Sequence, residues 1–335
     1  MPHFDRLGTL RWLSVFVVCL SVTPLTAQQD PCLVRTIPLG ILDKSRTPAS
    51  AVVPGMLSGK LHGKPVEILS IRRDQGPRRM VILLDASGSM FGTPFVWKAA
   101  LYLAIDAAMR APENEQVALG IFAGHLSETV GFEKGSAAVV HRLMAIATAD
   151  PLRVLVKDDR GTALIDSIIE SMEVFHLRGP EDVVYVITDG GDNRSKDQPR
   201  EVKDYLSASG ARLFAFLLEE VLPNRSRIVQ ETYGPNNVLK FVKTTGGMAV
   251  SASITSQQIH TFDAPAPKDA TNKFQREVVQ EMANLLYQGI ATYYQVEVKL
   301  PMPLDRPHGW ELKMAPRKGV HRDDISLFYP TVLPP

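Results

Sequence analysis

Short apolar strands alternate with amphipathic helices through the middle of the chain. Residues 81–84 and 183–187 are continuously apolar, which is typical of strands buried on both faces of a parallel sheet. Between and after them, apolar residues recur at helical spacing. Because strands and helices alternate, the pattern predicts a doubly wound, mostly parallel α/β unit over residues 79–288. The predicted helices cover residues 95–110, 136–148, 162–177, 199–209 and 272–289, with further strands at 116–123, 212–218 and 248–252.

The two flanks of this unit have a different pattern. Residues 293–300 alternate between apolar and polar side chains, as expected for a half-buried strand. Each flank alone offers too few strands for independent stability. We therefore expect residues 28–78 and 289–335 to pair as a small β-sandwich beside the α/β unit. The other predicted strands cover residues 33–39, 66–71, 310–314 and 325–329, with a hairpin corner at 59–64.

The first residues have the features of a leader. Arg6 and Arg11 precede an apolar run over residues 12–22, and the small residue Ala27 stands before the polar residues 28–30. This order predicts a secretory signal peptide over residues 1–27 and a secreted or periplasmic protein without a membrane span in the mature chain. An uncleaved anchor is the alternative, although the run has only about half the ~20 residues of a spanning helix. Cleavage would remove Cys19 and leave Cys32, either buried or available for an intermolecular bond.

Composition excludes several classes of protein. The 335 residues include 37 Lys plus Arg and 36 Asp plus Glu, a formal charge of +1. Such a balance gives no long-range attraction for nucleic acid or anionic lipid. Two cysteines cannot form a disulfide scaffold. The chain has no H-E-x-x-H or G-x-S-x-G motif and no phosphate-binding loop, so we do not expect an enzyme.

Candidate metal ligands follow the predicted strands. Asp85, Ser87 and Ser89 form a D-x-S-x-S triplet directly after the first buried strand, Thr162 precedes a helix, and Asp189 follows the second buried strand. The carboxyl ends of parallel strands meet at the edge where open α/β sheets bind ligands. Carboxylate and hydroxyl oxygens suit hard cations such as Mg²⁺. Alternatively, the triplet only caps the following helix.

Through these residues and their places in the strand pattern, the chain resembles a von Willebrand factor type A domain with a metal-ion-dependent adhesion site. More widely it is similar to a secreted bacterial family related to that domain, through Arg78–Met90, Tyr293-Tyr294 and Gly309-Trp310. The resemblance implies that the metal set is Asp85, Ser87, Ser89, Thr162 and Asp189. Arg160 departs from the family pattern, which often has a second glycine there, and a cation at this position would weaken metal binding unless Asp158 or Asp159 pairs with it.

Three hypotheses about function follow. The first is an exported, metal-dependent protein–protein interaction module of the adhesion type, without catalytic activity. In it a divalent cation, Mg²⁺ first with Ca²⁺ or Mn²⁺ as alternatives, binds an Asp or Glu of a partner protein. The second is a structural envelope-assembly protein in which the metal is incidental and the β-sandwich binds the partner. The third is a metal-assisted hydrolase, for which the sequence shows no candidate base.

The sequence allows two interpretations for each of two further features. Asp192 is either part of the rim of the site or a solvated side chain, and Asn193-Arg194-Ser195 is a glycosylation-type triplet. Residues 224–237 are rich in Pro, Gly and Asn. They form either part of a binding rim or, as we expect, a short helix over residues 226–233 that covers the edge of the sheet.

Overall fold

The computed structural model describes residues 33–49, 52–74, 78–91, 94–148, 161–197, 199–220, 229–254, 270–315 and 325–335. The predicted signal peptide over residues 1–27, both cysteines and Arg160 lie outside these ranges. Within them, no helix has both the length and the apolar character that crossing a bilayer would require.

The described residues form seven α-helices and fourteen β-strands. They are β1 (Val34–Asp43), β2 (Leu57–Leu61), β3 (Lys64–Arg73), β4 (Arg79–Asp85), α1 (Gly88–Phe91), α2 (Pro94–Arg110), β5 (Gln116–Phe122), β6 (Leu126–Val130), α3 (Gly135–Thr148), α4 (Leu164–Val174), β7 (Asp182–Thr188), α5 (Pro199–Ser209), β8 (Arg212–Glu220), α6 (Val229–Thr245), β9 (Ala249–Ile254), α7 (Ala270–Ala291), β10 (Tyr294–Lys299), β11 (His308–Gly309), β12 (Glu311–Met314), β13 (Ile325–Phe328) and β14 (Val332–Leu333).

The middle of the chain forms a six-stranded sheet in the order β6-β5-β4-β7-β8-β9. All neighbouring pairs are parallel except β5 with β6. From β4 the chain first builds outward through β5 and β6 and then returns to the other side of β4 with β7. The order therefore reverses between β4 and β7, which is the switch point where open α/β sheets bind ligands.

The position of β4 in the sheet explains why its sequence is continuously apolar. Met80, Ile82 and Leu84 pack with α2, α3 and α7 on one face of the sheet. Val81 and Leu83 pack with α4, α5 and α6 on the other. Because successive side chains of a strand point to opposite faces, burial on both sides requires apolar residues throughout. This is the doubly wound arrangement that the sequence predicts.

The two flanks of the chain form an antiparallel sheet in the order β12-β2-β3-β10-β1-β13, with a separate ribbon of β11 and β14. The described strands thus make one six-stranded sheet and a ribbon, where the sequence analysis predicted a sandwich of two facing sheets. The physical reason is that the two edges of the sheet approach each other. Leu312 N donates to Tyr329 Oη over 3.0 Å, and the Trp310 ring lies 5.5 Å from that of Tyr329. One curved sheet therefore encloses its own core.

A buried arginine joins the two sheets where α7 leads into β10. The Arg212 guanidinium donates to the carbonyls of Pro180 over 2.7 Å and Ile290 over 3.1 Å and lies 3.9 Å from the centroid of the Tyr293 ring. Burial lowers the pKa of Arg212 to about 10, so it is protonated at neutral pH. Its charge complements the negative carboxyl end of α7.

The structure corrects three details of the sequence analysis. Helix α4 covers Leu164–Val174 rather than 162–177, so Thr162 lies before it. Strand β6, Leu126–Val130, was not predicted, because a short edge strand with half-exposed side chains has a weak apolar pattern. Of the helix expected over residues 226–233, the part from Val229 onward belongs to α6, which continues through Pro235 to Thr245, whereas residues 226–228 lie outside the described ranges.

Candidate metal site at the switch point of the sheet

Three loops meet at the carboxyl edge of the parallel sheet. The loop after β4 is joined to β5 by Ala86 N, which donates to Phe122 O over 2.7 Å. The Thr162 loop is joined to the end of the same strand by Ala163 N, which donates to Ala123 O over 2.8 Å. The third loop follows β7, the other neighbour of β4. Asp85, Thr162 and Asp189 therefore lie on three adjacent loops at one edge.

The Asp85 turn is stabilised from within. Ser87 N donates to Asp85 Oδ1 over 2.8 Å, and the Ser87 and Ser89 hydroxyl oxygens are 3.2 Å apart. Ser87 is fully buried, whereas Ser89 is exposed to solvent. The turn thus presents one carboxylate and two neighbouring hydroxyls, of which the second lies at the surface.

Asp85 is a fully buried carboxylate that faces a second acid. Its Oδ2 accepts a hydrogen bond from the Thr188 hydroxyl over 2.5 Å, and that hydroxyl oxygen accepts one from Gly190 N over 2.9 Å. Burial raises the pKa of Asp85 to about 7, and the negative charge of Asp189 adds to the rise. The ionised form is therefore destabilised unless positive charge is brought to the site.

Asp189 lies on a loop whose shape depends on small residues. Its Oδ1 accepts a hydrogen bond from Gly191 N over 2.9 Å. Gly190 has φ +83° and packs against Pro235 of α6. A Cβ on Gly234 would lie 1.8 Å from Gly190 O, so only glycine fits there. Residues 229–237, the described part of the stretch that the sequence left open, thus belong to a helix that packs against the Asp189 loop.

The buried Thr162 is held through its backbone by the same loop. Its N–H donates to Asn193 Oδ1 over 2.9 Å, and its carbonyl accepts from Asn193 N over 2.9 Å and from Arg194 N over 3.0 Å. A Cβ on Gly161 would lie 2.3 Å from Arg194 Cγ, so the glycine allows this close approach. The Asn193 side chain therefore fixes a predicted metal ligand.

The loop after β7 also caps helix α4. Ala163, at the N-cap position, makes no side-chain hydrogen bond to the helix. Instead Ile165 N donates to Asp192 Oδ2 over 2.9 Å, and Asp166 N donates to Ser195 Oγ over 3.1 Å. Of the two interpretations of Asp192, the structure supports a fixed residue beside the site rather than a solvated one. Asp192 thus connects the loop after β7 to the start of α4, next to the Thr162 loop.

Sequence reasoning missed Thr188, Asn193 and Ser195. Thr188 directly precedes Asp189 at the end of a buried strand, so the strand pattern could have predicted its place next to Asp85. Asn193 and Ser195 were noted only as a glycosylation-type triplet. Their partners in the structure are backbone N–H groups about thirty residues away, at sequence separations of 31 and 29, which no local pattern shows.

The donor set fits a hard divalent cation. In the described residues, neither Asp85 nor Asp189 takes part in an ion pair. The same residues contain no group of three or more His, Cys, Asp or Glu side chains placed to hold a metal. A cation at this edge would thus depend on hydroxyl as well as carboxylate oxygens, and both are ligands that Mg²⁺ and Ca²⁺ accept.

A cavity of about 530 Å³ lies at the other end of the sheet, where Arg79 begins β4. The Arg79 guanidinium pairs there with Asp182 over 2.5 Å. This cavity is far from the predicted ligands along the length of β4, so it is not part of their site.

Comparison with known proteins gives only distant similarity. No model of a known protein family matches the chain, and no curated protein does. Among solved structures, BatB from Bacteroides thetaiotaomicron is 18% identical, with 62% of this chain and 98% of BatB covered and a TM-score of 0.40. A von Willebrand factor type A protein from Catenulispora acidiphila is 11% identical, with coverage of 90% and 74% and a TM-score of 0.38. Proximal thread matrix protein 1 from the mussel byssus, with a zinc-occupied metal-ion-dependent adhesion site, is 12% identical, with coverage of 68% and 49% and a TM-score of 0.39. The fold of this chain therefore rests on its own strand order and connections.

Proposed function

We propose that the chain is an exported protein-interaction module that binds an acidic residue of a partner protein through a divalent cation. Asp85, Ser87, Ser89, Thr162 and Asp189 are the proposed ligands, and Mg²⁺ is the proposed ion, with Ca²⁺ or Mn²⁺ as alternatives. One observation carries the proposal: Asp85 is fully buried, faces Asp189 and has no cationic partner among the described residues.

The residues of the chain have separate tasks in this proposal. Ser87 N and the Thr188 hydroxyl hold the two oxygens of Asp85 in place. Asn193 fixes Thr162 relative to the loop of Asp189. A bound divalent cation supplies positive charge that a partner carboxylate can neutralise. Ser89 is the exposed member of the turn and so marks the side from which a partner approaches.

We propose no catalytic activity, since the described residues at this edge offer ligands but no paired base and nucleophile. Binding at the edge also separates this proposal from the envelope-assembly alternative. In that alternative the antiparallel sheet binds the partner, and changes to the ligands leave binding intact.

The first experiment measures metal binding. The mature chain, with Asp85→Ala beside it, is titrated with Mg²⁺, Mn²⁺ and Ca²⁺ by calorimetry and by thermal unfolding. Asp204 on α5 is exposed, so Asp204→Ala is a matched control. We expect wild type and the control to bind one ion and to melt higher than in EDTA, and Asp85→Ala to do neither. Equal melting of all three proteins with and without EDTA would refute the site.

The second experiment measures partner capture. Envelope proteins are passed over immobilised wild type in Mg²⁺ and eluted with EDTA, and then over Ser87→Ala. The proposal predicts capture that EDTA and free acidic peptides reverse and that the variant lacks. Capture by the variant equal to that by wild type would favour the antiparallel sheet as the binding surface.

A further inference from the structure

A pair of histidines joins the antiparallel sheet to the ribbon of β11 and β14. His62 lies in the two-residue turn between β2 and β3, and His308 begins β11. His62 Nε2 and His308 Nδ1 are 3.1 Å apart, although the residues are separated by 246 positions in the sequence. Neither residue belongs to the candidate site at the switch point, and the sequence analysis assigned neither of them a role.

The backbone at His62 is unusual for a histidine. His62 has φ +51° and the following Gly63 has φ +77°. Two successive left-handed residues define the type I′ hairpin turn, whose first position is most often Asn, Asp or Gly. A non-glycine residue in this region carries a conformational cost. The cost is offset if the imidazole makes a specific interaction, and the ring of His62 faces that of His308, with centroids 4.6 Å apart.

The spacing of the two nitrogens matches that of ligands on one metal ion. Two imidazole nitrogens at about 2.0–2.1 Å from a tetrahedral zinc ion lie roughly 3.3 Å from each other. The observed separation is 3.1 Å. Both lone pairs could therefore meet on a common ion if the two rings tilt, with little change in the distance between the nitrogens. The His62 side chain is at the surface, which gives an ion direct access.

A carboxylate lies next to His308 on the side that faces away from His62. Asp305 Oδ1 is 3.3 Å from His308 Nε2, the nitrogen that does not face His62. Metal-bound histidines commonly donate their second N–H to a carboxylate, which fixes the tautomer and makes the ring a better ligand. Asp305 thus selects the tautomer in which the lone pair of His308 Nδ1 faces His62.

We propose that His62 and His308 form a binding site for a borderline first-row cation of the Zn²⁺, Ni²⁺ or Cu²⁺ class, with Asp305 as the positioning residue. Imidazole nitrogens favour these cations, whereas the carboxylates and hydroxyls at the switch point favour Mg²⁺ and Ca²⁺. Water completes the coordination, as it does at the open position of catalytic zinc sites. The bound ion clamps the β2–β3 turn to β11 and so joins the flanks on either side of the α/β unit. This proposal does not depend on the proposed function.

The test is a titration of the mature chain, without a polyhistidine tag, with ZnCl₂ in excess MgCl₂. His62→Asn keeps a residue that type I′ turns favour, so the variant is expected to fold. His308→Gln removes the other ligand, and His141→Gln on α3 is the matched control because His141 is exposed. We expect wild type, the control and Asp85→Ala to bind one Zn²⁺ and to melt higher with it. Both ligand variants should bind Zn²⁺ at least tenfold more weakly.

Asp305→Asn distinguishes a positioning role from a structural one. It should weaken Zn²⁺ binding by about 10- to 100-fold and leave the melting temperature in EDTA unchanged. The proposal is overturned if His62→Asn binds Zn²⁺ as tightly as wild type, or if wild type binds none in excess Mg²⁺. In that case the two rings form a hydrogen bond and no metal site.

Discussion

The replacement Asp85→Asn should stabilise the protein when no metal is present. Asn has nearly the same shape but no charge, so it removes the burial of an ionised carboxylate beside Asp189. Its carbonyl oxygen can still accept the hydrogen bond from Ser87 N, and its NH₂ group can donate to the Thr188 hydroxyl oxygen. The change therefore tests the electrostatics of the site with little change in packing.

The size of the effect follows from the pKa of Asp85. Folding raises this pKa from 3.8 to about 7, a difference of about three pH units. Because the folded protein then binds more protons than the unfolded chain, its free energy of unfolding falls as the pH rises through that range. At about 1.4 kcal/mol for each unit, the ionised Asp85 costs at most about 4 kcal/mol above pH ~7. Below pH ~4 the cost vanishes.

The assay is urea unfolding followed by circular dichroism, in EDTA and in excess Mg²⁺, at about pH 4 and about pH 8. In EDTA, Asp85→Asn should exceed wild type at the higher pH and match it at the lower. Mg²⁺ should stabilise wild type and leave the variant unchanged. Asp204→Asn, on the surface of α5, controls for the loss of one negative charge. The reasoning is refuted if Asp85→Asn is no more stable than wild type in EDTA at the higher pH.

Three further predictions concern the residues around the site and the joint between the sheets. Asp192→Ala removes the acceptor for Ile165 N, so the protein should lose about 1 kcal/mol of stability through the loss of the α4 cap. Calorimetry should also show a several-fold fall in Mg²⁺ affinity, and an effect on stability alone would contradict the link between the loops. Gly161→Ala places a methyl group against Arg194 and should weaken Mg²⁺ binding more than it lowers the melting temperature; unchanged binding would show that the close approach is not needed. Arg212→Met leaves buried carbonyls without a donor and should lower the free energy of unfolding in urea by about 2–4 kcal/mol. A decrease below about 0.5 kcal/mol would show that the contact between the sheets needs no charge.

The sequence predicts those parts of the fold that depend on local pattern. The apolar run of β4 indicates a strand covered on both faces because each of its side chains must be buried. The strand ends of β4 and β7 point to a common edge because parallel strands share their direction. Asp85 and Asp189 could be placed near each other on that basis alone.

Other features depend on contacts that no local pattern shows. Helix α6 continues through Gly234 and Pro235, two residues that usually end helices, because they pack closely against Gly190. The cap of α4 comes from Asp192 on a different loop. The antiparallel sheet closes on itself where Trp310 meets Tyr329, so its curvature could not be predicted from strands counted one at a time.

The most direct test of the central claim is the binding of Mn²⁺ observed through water-proton relaxation. A bound Mn²⁺ ion that keeps exchangeable water increases the relaxation rate, and a carboxylate that replaces this water lowers it again. We predict an increase with wild type, a decrease when a glutamate-containing peptide is added but not its glutamine counterpart, and neither change with Asp85→Asn. Equal relaxation rates for wild type and Asp85→Asn would contradict the claim that these loops hold a divalent cation.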